Sequence, residues 1–399
     1  MKQLNLFENK LTTYEESLEL TAQSLDTYGQ NYKHWVVAFS GGKDSTATAT
    51  AIQHLIQAGR VKRPENLHII YADTRMELPP LQISAFQLLE QFDKKGWQTH
   101  IACAPLDKRF LVYILGRGVP PPNNATLRWC TQQIKLNPMR EKLEGIRSSL
   151  GKDENILMIT GVRIGESAIR DNRISVSCSK NGAECGQGWF QNMVMPQTDI
   201  LAPLLHWRVC HVWDWLILGD FEHGFPTALL ASAYGGGEGT EELIEKAART
   251  GCMGCPLASK DLAIDNLIRQ KEYRYLAPLK RLRPLYQEWR DFSNRLQKNG
   301  ERRKDGSYSA NPCRKGPLTL EARERGLAAI LEIQSEINTE AERLGKPKVD
   351  MLNSEEEARI RELIAARTFP NKWTGDEPNG SELIPQVYSD GSKQLLLWN

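Results

Sequence analysis

The segment that most constrains this chain is a short apolar run, residues 35–39, followed at once by the loop Ser40-Gly41-Gly42-Lys43-Asp44-Ser45 and then by a helix-favouring stretch, residues 46–58. The length and β-branched content of the run are typical of a buried strand. Two glycines permit positive φ and let backbone amides approach anionic oxygens, and the start of a helix attracts negative charge. Strand, loop and helix together predict a phosphate-binding site, to which Lys43 adds a positive charge. The alternative interpretation is a surface turn that happens to contain these residues.

Strand and helix patterns continue to alternate after this loop. Apolar runs at residues 67–71, 99–102 and 156–160 predict strands, and residues 81–92 and 134–143 predict helices. Alternation of this kind indicates a parallel sheet with helices on both faces. The predicted fold is therefore α/β, a parallel twisted sheet with helices on both faces, followed by a mostly helical C-terminal region made of residues 261–297 and 319–344 with a polar loop, 298–315, between them.

Composition divides the chain into four predicted regions: a helical lead-in (1–30), an α/β domain that includes the cysteines (31–260), a basic helical region (261–369) and an irregular tail (370–399). The net charge of +2 does not by itself indicate a nucleic-acid partner. No apolar run reaches the length of a membrane span, and the N-terminus lacks the apolar segment of a signal peptide. We therefore expect a cytoplasmic protein with no membrane partner, in which the eight cysteines are more often thiols, metal ligands or redox groups than disulfides.

The loop matches the S-G-G-x-D-S signature in full, and here the sequence resembles the PP-loop ATP pyrophosphatases, whose fold is adenine nucleotide alpha hydrolase-like. The resemblance implies that ATP is cleaved between its α and β phosphates, with Mg²⁺ bridging the phosphates, and that an oxygen is adenylylated for displacement by nitrogen or sulfur. It also implies that the loop binds the pyrophosphate portion of ATP, through Ser40, Gly41, Gly42, Lys43, Asp44 and Ser45, of which Ser40, Lys43 and Asp44 are candidate catalytic residues.

Two further segments resemble the PAPS reductase-like branch of these enzymes. Residues 73–79 look like its D-T-x-x-E-x-P element, and residues 161–170 look like its G-x-R-x-x-E-S-x-x-R element. Arginines in the second element could hold phosphate oxygens bidentately. Each segment alone could be an ordinary loop at a strand end. The resemblance implies nucleotide- or metal-binding roles for Asp73, Thr74, Glu77, Gly161, Arg163, Glu166, Ser167 and Arg170, with Arg163 also a candidate catalytic residue.

Three cysteines are candidate metal ligands. Cys252 and Cys255 form a C-x-x-C pair in a glycine-containing loop, and zinc, an iron–sulfur cluster or a redox dithiol all suit this spacing. Cys130 precedes a Lys-x-x-Pro element, which resembles the cysteine that joins a distant C-x-x-C around a 4Fe-4S cluster in members of the branch. The resemblance thus implies these three as ligands. The fourth ligand stays open between Cys185, placed first because neighbouring glycines make its backbone pliable, Cys178, Cys313 and no further cysteine.

Residues 269–305 carry twelve Lys and Arg against five Asp and Glu, interleaved with five aromatic residues. Positive charge with aromatics suits a phosphate backbone and unstacked bases, whereas the alternative is the solvated face of an amphipathic helix. Residues 315–323 resemble the G-P-x-T-L-E-x-R element of the DNA phosphorothioation sulfurtransferases of the DndC and SspD type. That resemblance implies DNA, a cysteine desulfurase as sulfur donor and other phosphorothioation proteins as partners.

The predicted function is therefore adenylylation of a DNA phosphate oxygen, followed by its replacement with sulfur, using ATP, Mg²⁺ and a 4Fe-4S cluster. Three other functions remain open: reduction of PAPS or adenylylsulfate, thiolation of tRNA, and a non-catalytic module that senses nucleotide or redox state. A reductase of this kind would carry a reactive cysteine near the C-terminus, and none follows Cys313. The intact loop counts against the sensing module.

Overall fold

The computed structural model describes residues 13–123, 127–151, 154–165, 172, 189–195, 197–234, 252–258, 261–299, 313–379, 385–387 and 392–395. The chain divides into two compact units that are interleaved in sequence. The first is Met1–Ala72, Pro79–Ala102 and Met139–Arg249, and the second is Asp73–Leu78, Cys103–Pro138 and Thr250–Asn399. The predicted region boundaries near residues 30, 260 and 369 stay predictions. No helix in the described parts of the chain is both long and apolar enough to cross a membrane.

The first unit is organised around a sheet that has six strands among the described residues. In chain order they are β1 (His34–Phe39), β2 (Asn66–Asp73), β3 (Gln98–Cys103), β4 (Ile156–Ile159), β5 (Trp189–Met195) and β6 (Thr198–Ala202). They lie side by side in the order β3-β2-β1-β4-β6-β5, with five parallel strands and β5 antiparallel to β6. The α/β prediction is confirmed. The sequence patterns located β1 to β4 and missed β5 and β6.

Helices cover both faces of this sheet. Side chains alternate along each strand, so neighbouring apolar residues of one strand pack against helices on opposite faces. Val37 of β1 belongs to one apolar cluster with Ile52 and Leu88, whereas Val36 belongs to another with Leu143. The predicted helices correspond to α2, α3 and α4 below, the last beginning at Asn137 rather than at residue 134. The helices of this part of the chain are α1 (Tyr14–Gly29), α2 (Lys43–Gln57), α3 (Pro79–Lys94), α4 (Asn137–Ser148), α5 (Val209–Ile217), α6 (Gly219–Glu222) and α7 (Ala228–Ala233).

The second unit is mostly helical, as predicted for the C-terminal region. Its α-helices are α8 (Leu262–Arg269), α9 (Leu282–Glu288), α10 (Leu320–Leu344) and α11 (Ser354–Ala365). Helical turns of 3₁₀ type lie at Leu106–Lys108, Lys271–Arg281 and Phe292–Asn294, and π-helical turns lie at Val112–Gly116 and Thr131–Leu136. Two antiparallel strand pairs complete the unit, β7 (Arg295–Asn299) with β8 (Cys313–Leu318) and β9 (Pro385–Val387) with β10 (Lys393–Leu395).

Two details differ from the sequence prediction. The helix expected over residues 261–297 is broken, because Pro278 has no N–H to donate and lies inside the 3₁₀ segment Lys271–Arg281. The strands β7 and β8 occupy the end of that expected helix and both ends of the expected loop 298–315. Helix α10, by contrast, matches the prediction, starting after the Thr319 cap and ending at Gly345, where φ is +63°.

One interpretation of the basic region had its aromatic residues stacking on bases, with the solvated face of an amphipathic helix as the alternative, and three of these aromatic residues are not exposed for stacking. Tyr275, Tyr286 and Trp289 are buried, the last two with 1% exposure. The ring of Tyr286 packs edge-on against Phe110, with centroids 5.5 Å apart. Burying rings of this size stabilises the folded protein, so these aromatic residues help to hold the second unit together.

Candidate nucleotide and cysteine sites

The phosphate loop has the backbone that its glycines predict. Gly41 adopts a φ of +69°, and a Cβ at this position would lie 3.0 Å from the Cβ of Ala85. The hydroxyl of Ser45 accepts from the amide of Ser40 at 3.2 Å and donates to the carbonyl of Gly42 at 3.0 Å. Gly42 caps α2 without a side chain, so an anion can take the place that a capping side chain would fill.

Three charged side chains converge at this loop. Asp44 accepts from Nζ of Lys43 and from Nε of Arg163, each at 2.6 Å, and both cations are almost fully buried. Burial alone would raise the pKa of Asp44, but the positive charges of Arg163 and Lys43 outweigh it and hold that pKa below its ordinary value. Asp44 is therefore charged at neutral pH, and the loop presents two cations and the start of α2 around one carboxylate.

Arg163 is positioned by the segment that follows β4. The amide of Thr160 donates to the carbonyl of Leu201 at 2.9 Å, so this segment continues the alignment of β4 with β6. The guanidinium of Arg163 also donates to the carbonyl of Trp207 at 3.1 Å. Gly161 lies so close to the loop that a Cβ there would be 2.9 Å from the carbonyl oxygen of Asp44. The structure thus brings Gly161 and Arg163 together with the loop, whereas their roles in binding nucleotide stay predictions.

Other members of the predicted nucleotide set lie elsewhere. Glu166, Ser167 and Arg170 are outside the described residues. Asp73, Thr74 and Glu77 belong to the second unit, and their participation in one nucleotide site with the loop stays a prediction. The sequence analysis missed the carbonyl of Trp207 as a partner of Arg163. Every residue has a backbone carbonyl, so no sequence pattern marks the one that accepts this hydrogen bond.

In the second unit, residues 73–77 form a tight turn. The carboxylate of Asp73 accepts from the amide of Arg75 at 2.9 Å, and the hydroxyl of Thr74 donates to Oε1 of Glu77 at 2.7 Å. Arg75 has a φ of +60°, which is unusual for a residue with a side chain. Its guanidinium pairs with the buried carboxylate of Glu356 at 3.1 Å, which fixes this conformation from the start of α11.

The C-x-x-C loop is paired directly with this turn. Glu77 and Cys252 form an isolated antiparallel bridge, and the amide of Met253 donates to the carbonyl of Met76 at 2.6 Å. Burial raises the pKa of Glu77 to about 7, against the hydrogen bond from Thr74, which lowers it. The Oε2 atom of Glu77 is enclosed and has no hydrogen-bond partner among the described residues.

The three described candidate ligands share one environment. Burial raises the pKa of Cys252 strongly, with further contributions from Glu77 and Cys255, while Lys135 lowers it. Burial also raises the pKa of Cys130, and Cys255 adds to that rise. Because Cys255 acts on both Cys130 and Cys252, and Cys130 acts on Cys252, the three cysteines lie in one neighbourhood. Lys135, which the sequence analysis noted only as part of the Lys-x-x-Pro element, supplies positive charge to it.

The chemistry of this donor set suits an iron–sulfur cluster, because cysteine thiolates are the usual ligands of such clusters. Within the part of the chain that the structure describes, no group of three or more Cys, His, Asp or Glu side chains that could hold a metal ion is found. Positive irons would also compensate thiolates that burial otherwise keeps protonated. Of the candidates for a fourth ligand, Cys178 and Cys185 lie outside the described residues, and Cys313 is the first residue of β8.

Comparison with known families agrees with this architecture. Residues 34–223, just under half of the chain, match the phosphoadenosine phosphosulfate reductase domain. This part of the chain is therefore similar to the PAPS reductase domain, in line with the resemblance noted from its motifs. Two uncharacterized proteins of Methanocaldococcus jannaschii are 26% and 23% identical over 222 and 192 residues, which are 55% and 48% of this chain. The matches cover only 41% and 33% of those proteins, so this chain spans less than half the length of the curated relatives.

Two solved structures are also similar. The phosphoadenylyl-sulfate (PAPS) reductase from Candida auris, in a phosphate complex, is 12% identical with a TM-score of 0.30, over 52% of this chain and 88% of that chain. The U34-tRNA thiolase NcsA from Methanococcus maripaludis, with its 4Fe-4S cluster, is 14% identical with a TM-score of 0.34, over 69% of this chain and 78% of that chain. At these values neither structure assigns a ligand or a reaction to this chain.

Proposed function

We propose that this chain is an ATP pyrophosphatase that activates a DNA backbone phosphate for replacement of one oxygen by sulfur. The observation that carries the proposal is the group of Lys43, Asp44 and Arg163 at the start of α2, where two buried cations and uncapped amides surround one carboxylate. Such a group suits the β and γ phosphates of a nucleotide, which need several positive partners at short range. It supplies the activating half of the reaction.

In this proposal each loop residue has a separate task. The amides after Gly41 and Gly42 bind phosphate oxygens, and Lys43 and Arg163 neutralise the charge that develops on the departing pyrophosphate. Asp44 keeps both cations in place before the nucleotide arrives, because its carboxylate already bonds to each of them. Mg²⁺ would supply further positive charge to the phosphates and so complete the neutralisation.

The cysteines would serve the sulfur half of the reaction. Cys130, Cys252 and Cys255 would hold a 4Fe-4S cluster, which supplies an iron at which sulfide can be stored or passed on. A cysteine desulfurase would provide the sulfur as a persulfide, and a thiol reductant would reduce it to sulfide with two electrons. When the sulfur attacks the adenylylated phosphate, a P–S bond forms, the P–O bond to AMP breaks, and AMP leaves with the oxygen.

The proposal that DNA is the acceptor has separate support. Positive charge is concentrated in residues 269–305, and residues 315–323 carry the G-P-x-T-L-E-x-R pattern. Three aromatic residues of that region are buried, so they cannot stack on bases. The region would therefore attract a polynucleotide mainly through its positive charge. The other acceptors, a tRNA base or sulfate as PAPS or adenylylsulfate, would use the same activating loop. A cytoplasmic location and other phosphorothioation proteins as partners belong to the proposal.

Sulfur-35 distinguishes these acceptors. The purified chain would be incubated anaerobically with ATP, Mg²⁺, a cysteine desulfurase, ³⁵S-cysteine and a thiol reductant, together with DNA or with tRNA. A parallel reaction with the same reductant would measure sulfite release from PAPS. Label that enters DNA, and that nuclease digestion recovers as a phosphorothioate dinucleotide, is the expected result. Label in tRNA, or release of sulfite from PAPS, would contradict DNA as the acceptor. A protein that binds ATP without releasing pyrophosphate would instead be a sensing module.

A further inference from the structure

The strongest unexplained group in the second unit is the carboxylate of Glu77. One oxygen, Oε1, accepts from the hydroxyl of Thr74 at 2.7 Å, but the other, Oε2, is enclosed and has no partner among the described residues. An enclosed carboxylate oxygen without a partner costs free energy, because it has given up hydration and received nothing in return. A group arranged in this way fits a ligand that arrives after folding.

Backbone pairing indicates which way this carboxylate faces. Glu77 and Cys252 are direct partners in an antiparallel bridge, and directly opposed residues project their side chains to the same side of such a pair. The hydrogen bond from Met253 to Met76, 2.6 Å long, locks the two segments in this register. Thr74 then restricts the rotation of the carboxyl group. Glu77 therefore shares a side with the first thiol of the C-x-x-C pair.

The number of cysteines leaves a place for such a ligand. Three cysteines bind three irons of a four-iron cluster and leave one iron without a protein ligand. A carboxylate oxygen beside the C-x-x-C pair can take that position.

We infer that Glu77 is the fourth ligand of the iron–sulfur centre, bound through Oε2, so that the centre is held by three cysteines and one glutamate. This inference rests on the cluster in the proposed function and names the ligand that Cys185, Cys178 or Cys313 would otherwise provide. A carboxylate is a harder and more easily displaced ligand than a thiolate. The iron bound to Glu77 is then the one at which sulfide exchanges.

The test compares wild type with Glu77→Gln, which keeps the size of the side chain and removes its charge. Each protein is purified anaerobically, reconstituted with iron and sulfide, and assayed for iron content and by EPR after mild oxidation. We expect a four-iron cluster in wild type and a three-iron cluster with its S = 1/2 signal in Glu77→Gln. Glu77→Cys should restore the fourth iron, because a thiolate replaces the carboxylate. Glu90→Gln, at an exposed site on α3, should behave as wild type.

A four-iron cluster in Glu77→Gln with an unchanged Mössbauer spectrum would overturn the inference. If that variant does not fold, the wild-type Mössbauer spectrum decides: one iron distinct from three thiolate-bound irons supports it, and four equivalent irons overturn it. Pyrophosphate release from ATP is measured on the same samples. If reconstituted wild type binds no iron but still releases pyrophosphate, this inference is overturned and the ATP chemistry stands. If wild type holds a cluster through Glu77 but releases no pyrophosphate, the proposed function alone is overturned.

Discussion

Asp44 and Glu77 are both enclosed carboxyl groups, yet the protein shifts their pKa values in opposite directions. Burial would raise both values, but Arg163 and Lys43 stand at hydrogen-bonding distance from Asp44 and reverse the effect. Among the described residues, Oε1 of Glu77 accepts from the hydroxyl of Thr74 and Oε2 has no partner, and burial raises the pKa of Glu77 to about 7. One carboxylate is already compensated within the fold and the other is not. The difference separates a charge that organises a site from a group that awaits a ligand.

The largest expected effect comes from removing the compensated carboxylate. Asp44→Ala leaves two buried cations without the group that lies between them, which should cost about 3–5 kcal/mol of unfolding free energy. Misplaced cations should also lower pyrophosphate release by about 100-fold or more. Urea unfolding and a pyrophosphate assay at saturating ATP measure the two effects. Glu90→Ala, which breaks an exposed ion pair with Lys94, is the control and should change stability by less than about 1 kcal/mol.

The pH dependence of the unfolding free energy provides a second test of the role of Asp44. Since its pKa is lowered in the folded protein, its stabilising contribution is fully present above the ordinary value of 3.8 and is lost as the pH falls below that value. The difference in unfolding free energy between wild type and Asp44→Asn should therefore become smaller as the pH falls below 3.8. A difference that stays constant from pH 6 to pH 3 would mean that the two cations do not act on this group.

The buried imidazole of His68 extends the comparison of Asp44 and Glu77 to a basic group that burial keeps neutral. His68 has 5% exposure, its Nδ1 lies 3.1 Å from Nε2 of His100, and burial lowers its pKa to about 4, with His100 and His34 adding to the effect. The unfolded chain binds a proton near pH 6.5 and the folded chain does not. Stability should therefore fall by an amount on the order of 3 kcal/mol as the pH drops from 6.5 to 4.

His68→Gln removes this titration and keeps a polar side chain on the strand. Denaturant unfolding at several pH values should then show a shallower loss of stability across that window. His100 also has a lowered pKa through burial and the nearby charge of Lys142, so part of the slope should remain. An unchanged slope in the variant would assign the loss to other groups.

The smallest expected effect tests how tightly the loop is packed. Gly161→Ala places a Cβ 2.9 Å from the backbone of Asp44, so the loop or the segment after β4 must shift, at a cost of about 1–3 kcal/mol. Gly145→Ala is the matched control, since a Cβ there meets nothing within 4 Å and lies in α4. The control should be neutral or stabilised by up to about 1 kcal/mol. Equal melting temperatures for the two variants would contradict the close contact.

Local signals account for the part of the fold that the sequence predicted. The apolar runs of β1 to β4 are short, β-branched and bounded by turns, and α10 has a threonine cap at one end and a glycine at the other. The strands β7 and β8 carry several charged residues and no alternation, so their polar sequence was interpreted as helix and loop. Strand β6 was missed because it has five residues and no strong apolar run.

Long-range contacts account for the rest. Arg163 reaches Asp44 across 119 residues, and motif resemblance placed both at the nucleotide without indicating that they pair. The bridge between Glu77 and Cys252 is made by backbone groups, which any sequence possesses. For the same reason the partnership of Arg75 with Glu356, 281 residues apart, has no local signal. The sequence therefore supplied candidate groups for the chemistry, whereas the structure shows which of them compensate one another.

The products of ATP cleavage decide whether the loop of residues 40–45 performs the proposed chemistry. The purified chain is incubated anaerobically with ATP labelled at the α phosphate, Mg²⁺, DNA, and a cysteine desulfurase with cysteine and a thiol reductant. Asp44→Ala is the matched control, and the labelled products are separated. Labelled AMP, formed together with pyrophosphate by wild type and at least about 100-fold more slowly by the variant, is the predicted result. Labelled ADP, or AMP formed equally fast by both proteins, would contradict an ATP pyrophosphatase at this loop.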